Sequence, residues 1–173
     1  MEHPIIIQGP PLPPKVNGDL LGTLTIRLQA CSIIDGSFAR IQFWGSSEYS
    51  DLQSSSNGGA TAVEYPLIGS IPSLDNYMKD ASPLRVSFLR HSNNNNNNNE
   101  LIGHAHISDL SITDKLKPEY ITTEDHKGDN ATAAIRTIKL SLRREVQIIS
   151  PNNTAVSSDS VGKAVFELLF TDL

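Results

Sequence analysis

Thr23-Leu-Thr-Ile-Arg-Leu-Gln-Ala30 is the stretch that decides the fold class. Leu24, Ile26, Leu28 and Ala30 alternate with Thr23, Thr25, Arg27 and Gln29, and a period of two puts the two sets on opposite faces of a half-buried β-strand. The pattern recurs outward along the chain. Phe38 to Trp44 places Ala39, Ile41 and Phe43 inward and leaves Phe38, Arg40, Gln42 and Trp44 on the opposite face. Val63, Tyr65 and Leu67 form a third run, and Leu84, Val86 and Phe88 a fourth. In the fifth, Leu101, Ala105 and Ile107 point inward and His104 and His106 outward, while Gly103 permits a bend or a close backbone approach. Ile138, Leu140 and Leu142 make a sixth; Ala164, Phe166, Leu168 and Phe170 make a seventh. Turn-forming residues fill 46–59, 71–82, 91–99, 127–130 and 150–162. Short strands at this spacing predict an all-β protein, an antiparallel sandwich of seven to eight strands. Leu74 to Lys79 and Ile107 to Leu116 could each support a helical turn, too little to change the class.

A chain of 173 residues suits one domain. Residues 1–18, with Pro10-Pro11-Leu12-Pro13-Pro14, carry no amphipathic period and read as a flexible, extended Pro-rich arm. The sandwich is expected over residues 19–173, interrupted by a disordered Asn-rich loop at 92–99. The seven asparagines, Asn93 to Asn99, offer no apolar surface to bury. Leu173 follows directly on the last predicted strand, which suggests a fragment of a larger protein.

A net charge of −5 provides no overall electrostatic footprint for nucleic acid or an anionic bilayer. No apolar run is long enough to span a membrane, and Ile5-Ile6-Ile7 is too short for a signal core. The single cysteine, Cys31, excludes an internal disulfide, fits a reducing compartment and reads as a small apolar filler at a strand end. The sequons at Asn130 and Asn152 read as chance matches.

Leu84-Arg-Val-Ser-Phe-Leu-Arg90, a variable loop and Glu100-Leu-Ile-Gly-His-Ala-His-Ile107 resemble the strand, loop and strand of C2 domains, with Asp109-Leu110 as the usual way out. Gly22-Thr-Leu-Thr-Ile-Arg-Leu28 and Gly162-Lys-Ala-Val-Phe-Glu-Leu168 are similar to the family's opening and closing strands. Together they cover most of the chain from Leu20. Phe38-Ala-Arg-Ile-Gln-Phe-Trp-Gly45, Thr61-Ala-Val-Glu-Tyr-Pro-Leu67 and Leu74-Asp-Asn-Tyr-Met-Lys-Asp80 resemble, in that order, the amino-terminal C2 domain of the centriolar C2 domain-containing protein 3 family. The resemblance implies a C2-type β-sandwich, the first module of a scaffold of the centriole distal end, needed for centriole elongation and ciliary appendages. It also implies residence in the cytoplasm and cytoskeleton, at the centriole, centrosome or ciliary basal body.

Calcium takes about six to eight oxygen ligands, which calcium-dependent C2 domains gather as aspartates from loops at one end. Here the first loop offers Asp35 alone, and Leu89-Arg90-His91 stands where the resemblance expects an Asp-x-Asp, with only asparagines and Glu100 beyond it. Arg90 adds positive charge where the ion would sit, so no calcium is expected. His91, His104 and His106 could supply three nitrogens to zinc, but no cysteine or carboxylate cluster accompanies them and they read as exposed strand residues. No nucleophile and base, paired carboxylates or phosphate loop is recognisable, so neither catalysis nor a cofactor is expected.

Two sets of residues are candidates for partner binding. Phe38 and Trp44 form an aromatic pair opposite the core face, which requires cover by the 46–59 loop or by a partner. Arg136, Lys139, Arg143 and Arg144 give the sixth strand a basic character, read either as charges that discourage edge pairing or as a dock for an acidic partner or anionic lipid. The sequence thus predicts a calcium-independent protein-interaction module; the resemblance implies centriolar protein partners, and neither nucleic acid nor a membrane is expected as a partner. The alternative is a membrane-tethering C2 domain using the basic strand.

Overall fold

In a computed structural model, which describes residues 5–33, 37–53, 60–92, 98–112, 140–151 and 160–173, the described residues form nine strands and one helix. In sequence order they are β1 (Ile6–Gln8), β2 (Leu20–Cys31), β3 (Ser37–Ile41), β4 (Ser50–Leu52), β5 (Ala62–Ile68), α1 (Ile71–Asp80), β6 (Leu84–His91), β7 (Asn99–Ile107), β8 (Leu140–Ile149) and β9 (Ser160–Thr171). They form one sheet in the order β1-β5-β2-β9-β8-β7-β6-β3-β4. β7 and β8 share the single residue pair His104–Ile149, and at this seam the sheet folds over on itself. Phe88 of β6 meets Phe166 of β9 across the interior with ring centroids 6.3 Å apart, so the two halves pack face to face as a sandwich. Gly103 lies at the seam. A Cβ there would come within 2.6 Å of the Ile149 carbonyl oxygen, the close approach its position in the pattern predicts.

The alternation read from the sequence holds over most strands. Leu24, Ile26, Leu28, Val63, Tyr65, Leu67, Leu84, Val86, Phe88, Ala105, Ile107, Ala164, Phe166, Leu168 and Phe170 are all buried in one core. Two positions break it at β-bulges, where an extra residue reverses the facing of those beyond. The irregularity between Leu28 and Ala30 turns Ala30 outward, and the one at Phe88/Leu89 puts Leu101 on the surface opposite Leu89.

Residues 1–18 are not wholly a free arm. β1 pairs with β5, in parallel, so the sheet is mixed and exceeds the expected seven to eight strands. The pairing continues beyond β1: the Gly9 and Leu12 amides donate to the carbonyls of Glu64 (2.8 Å) and Pro66 (2.7 Å), and the Ile68 amide donates to Leu12 (2.7 Å). Gly9 lets the chain pass tight over Tyr65, whose ring would lie 2.5 Å from an added Cβ. Leu12 then drops into the core with no exposure. A single leucine among four prolines has no period to betray it, yet its burial contributes about 1.5–3 kcal/mol. The 92–99 loop is also shorter than expected, since Asn99 pairs with His91 as the first residue of β7; 93–97 lie outside the described residues.

The helical turn expected around Leu74 is a ten-residue helix. Ser70 caps it, its hydroxyl accepting from the Ser73 amide (3.3 Å), and Pro72 occupies the first turn, where no N–H is needed. Leu74, Tyr77 and Met78 close one end of the core. Buried Asp75 accepts from the Ile112 amide (2.8 Å) and pairs with Lys79 (2.8 Å), tying α1 to the segment after β7.

Candidate functional site: the Trp44 groove

β3 ends at Ile41, three residues short of the predicted strand. Phe43 still points into the core, and the chain then turns through Trp44 and Gly45, closed by the Ser46 amide donating to the Phe43 carbonyl (3.0 Å). Gly45 has φ +79°, the left-handed value that glycine adopts without cost at the third position of such a turn. The turn holds Trp44 out into solvent, 69% exposed.

The backbone beneath it is fixed from α1. The Tyr77 hydroxyl donates to the Trp44 carbonyl at 2.9 Å. The Tyr77 ring stacks on Phe43 (6.4 Å between centroids), and Phe43 meets Tyr65 edge-on (5.1 Å). Burial pushes the Tyr77 phenol up to about 12, with the neighbouring Tyr65 adding to the effect, so Tyr77 remains a donor at physiological pH. Tyr65 is likewise pushed up to about 12 by burial, against a hydrogen bond with Ser50 that acts the other way.

Three parts of the chain meet at the turn: Pro13 to Val16 of the arm, Trp44 and Gly45, and Ser73, Tyr77 and Asp80 of α1. They enclose a groove of about 460 Å³. That lies within the range of about 300–1,000 Å³ of ligand sites. Pro13, Pro14, Val16, Trp44 and Tyr77 give it an apolar lining, and Lys15 and Asp80 supply one charge of each sign. Among the described residues neither Lys15 nor Asp80 has an ion-pair partner.

The structure does not bring Phe38 to Trp44. Phe38 is 3% exposed; His91 lies over it (4.8 Å between ring centroids), and Arg40 approaches the ring at 5.5 Å. Arg40 also lies 4.0 Å from the Tyr49 ring centroid and binds Asp51 through two hydrogen bonds, so these side chains cover Phe38 from within the chain. Nor is there a continuous basic face on β8. Arg143 is exposed and faces Glu167 across β9, whereas Arg144 points the other way, half-buried, and pairs with Asp109 (3.5 Å). Glu167 in turn takes Arg27 and Gln29 of β2. Arg136 and Lys139 lie outside the described residues.

The three histidines do not converge either. His91 pairs with Asn99, while His104 lies opposite Ser87 and accepts from the Arg85 guanidinium at 2.7 Å. Burial, then Arg85 and His106, hold His104 below the usual histidine value. Among the described residues no three His, Cys, Asp or Glu side chains stand close enough to hold a metal ion. Asp35 and the sequons at Asn130 and Asn152 lie outside the described residues. Cys31 packs against the core with its thiol pushed up by burial, which makes it a poor nucleophile.

Compared with known protein families, residues 9–168 match the N-terminal C2 domain of C2CD3 protein. The chain belongs to this C2 family. The match starts within the arm that docks on β5, so Leu12 and the prolines of the groove lie inside the C2 domain. C2 domains are typically binding modules. Among curated proteins none matches the chain. The sequence marks Trp44 but not the groove, whose walls come from the separate stretches 13–16, 44–45 and 73–80 and whose closing helix shows in the sequence only as a helical turn.

Proposed function

We propose that this C2 domain is a calcium-independent protein-interaction module of a centriole or basal-body scaffold, without catalytic activity, acting in centriole assembly, elongation and ciliogenesis. The observation that carries the proposal is Trp44, a largely exposed indole on a turn anchored by Tyr77, at the mouth of an apolar groove. An exposed aromatic residue on an anchored turn beside an apolar cleft is the type of side chain that dominates interface energetics. Calcium independence draws support from the lone Asp35 in the first loop and from Arg90 where a carboxylate ligand would stand.

Isothermal titration with calcium and co-sedimentation with anionic vesicles test this reading. The expected result is no heat, an unchanged melting midpoint with and without chelator, and no salt-sensitive vesicle binding. Micromolar calcium affinity with a raised midpoint, or capture by anionic vesicles at physiological ionic strength, would overturn it in favour of a membrane-tethering domain.

A further inference from the structure

We infer that the Trp44 groove takes a proline-rich segment of a partner protein, in an extended polyproline conformation, with a basic residue set against Asp80. The inference rests on the groove being the partner surface and adds the chemistry of its occupant.

The lining supplies the first argument. Polyproline helices have flat apolar ring faces and dock into grooves built from aromatic side chains, where their preformed backbone keeps the entropic cost low. Here an exposed indole and a buried tyrosine ring stand together, and the groove already accommodates proline on one wall. The Pro14 ring lies 3.3 Å from where a Cβ of Gly45 would sit, so the Trp-Gly turn is shaped to prolyl packing.

Charge supplies the second. Asp80 ends α1, where the carbonyls of the last turn already make the surroundings negative, and the neighbouring cation Lys79 is engaged by Asp75 at 2.8 Å. A guanidinium or ammonium arriving at this corner meets a carboxylate that has no ion-pair partner among the described residues. Lys15, on the arm, suits a different part of the same ligand. A polyproline backbone makes no internal hydrogen bonds and leaves its carbonyls open to such a donor.

The chain's own Pro10-Pro11-Leu12-Pro13-Pro14-Lys15 has the composition of such a ligand, but it is not available to a second copy. Leu12 is fully buried and its amide and carbonyl are both bonded to β5. The occupant is therefore a separate protein.

The chain has a single tryptophan, so its emission reports the groove directly. Three peptides of equal length are titrated: polyproline flanked by arginine, polyproline flanked by glutamate, and a Gly/Ser chain carrying the same arginine. The arginine-flanked polyproline is expected to shift the emission saturably, the glutamate-flanked one to bind more weakly, and the Gly/Ser peptide not to bind. Asp80→Asn should weaken the first peptide about two- to fivefold, as loss of an exposed ion pair does, and bring the first two peptides together. Trp44→Ala, read by anisotropy of a labelled peptide, should weaken it roughly tenfold or more. No saturable change with either polyproline, equal binding of the Gly/Ser peptide, or a preference for glutamate would each overturn the inference. Recruitment of the fluorescently tagged chain to centrioles separates the two levels. If Trp44→Ala abolishes recruitment while polyproline does not bind, the groove is the partner surface and the occupant is of another kind; if recruitment survives Trp44→Ala, the groove itself is not that surface.

Discussion

Leu12→Ala is the sharpest test of how the amino-terminal segment belongs to the domain. Leu12 has no exposure, and the backbone around it is fixed by hydrogen bonds of 2.7 Å to Pro66 and from Ile68. Removing a fully buried leucine side chain costs about 2–5 kcal/mol, the spread reflecting how far the site collapses. The arm lies at the edge of the sheet and can settle inward, so the lower half of that range, about 2–3 kcal/mol, is expected. For a domain of this size each kcal/mol moves the melting temperature by about 2–4 °C, giving a drop of roughly 4–12 °C. Urea unfolding followed by circular dichroism should show the same loss as a shift in midpoint at unchanged slope. A change below about 0.5 kcal/mol would mean that the arm is an exposed tail, and the proline wall of the groove would fall with it.

Tyr77→Phe keeps the ring on Phe43 and removes only the hydrogen bond to the Trp44 carbonyl. It should cost about 0.5–1.5 kcal/mol by thermal melt and change the tryptophan emission, and an unaltered spectrum would argue against Tyr77 holding the turn. Gly103→Ala forces a Cβ against the Ile149 carbonyl and the Ile148 side chain at the β7–β8 seam, and about 1–3 kcal/mol should be lost; a neutral substitution would mean that the seam opens freely. Alkaline titration gives a further test. Tyr65 and Tyr77 have folded values of about 12 against an ordinary 10, so the folded state disfavours their ionised forms; the stability they contribute is complete below pH 10 and lost as the pH rises towards 12. Tyrosinate absorbance for these two residues should therefore rise together with unfolding, and ionisation well before loss of structure would contradict their burial.

The fold is legible in the sequence where a strand is buried on one face for several residues, because period two then writes itself into the composition. β2, β5, β6, β7 and β9 are of this kind, and the errors within them, at Ala30 and Leu101, are single-residue bulges that a pattern cannot register. β1 and β4, three residues each, are too short to show a period. β1 is recruited by an edge of β5 that only the assembled sheet presents. Trp44 and Phe38 illustrate the limit for the site. The sequence marks both as aromatics off the core face, but assumes that the strand runs through to Trp44. The turn at Gly45 separates them, so that Phe38 is covered by His91 and Arg40 while Trp44 stays exposed. Of the basic run, Arg143 and Arg144 fall on opposite faces of β8, so these two do not share a patch. Successive residues on a strand point to opposite faces and cannot form one surface.

The most direct measurement is recruitment of the fluorescently tagged chain to centrioles in permeabilised cells, with calcium chelated, comparing the native chain with Trp44→Ala. The substitution removes a side chain that is mostly in water and should leave the melting temperature within about 1–2 °C, a change of about 0.5 kcal/mol or less. Strong centriolar labelling by the native chain and its loss in the variant are expected. Equal labelling by the two chains, or labelling that appears only when calcium is restored, would contradict a calcium-independent module that binds its partner through the Trp44 groove.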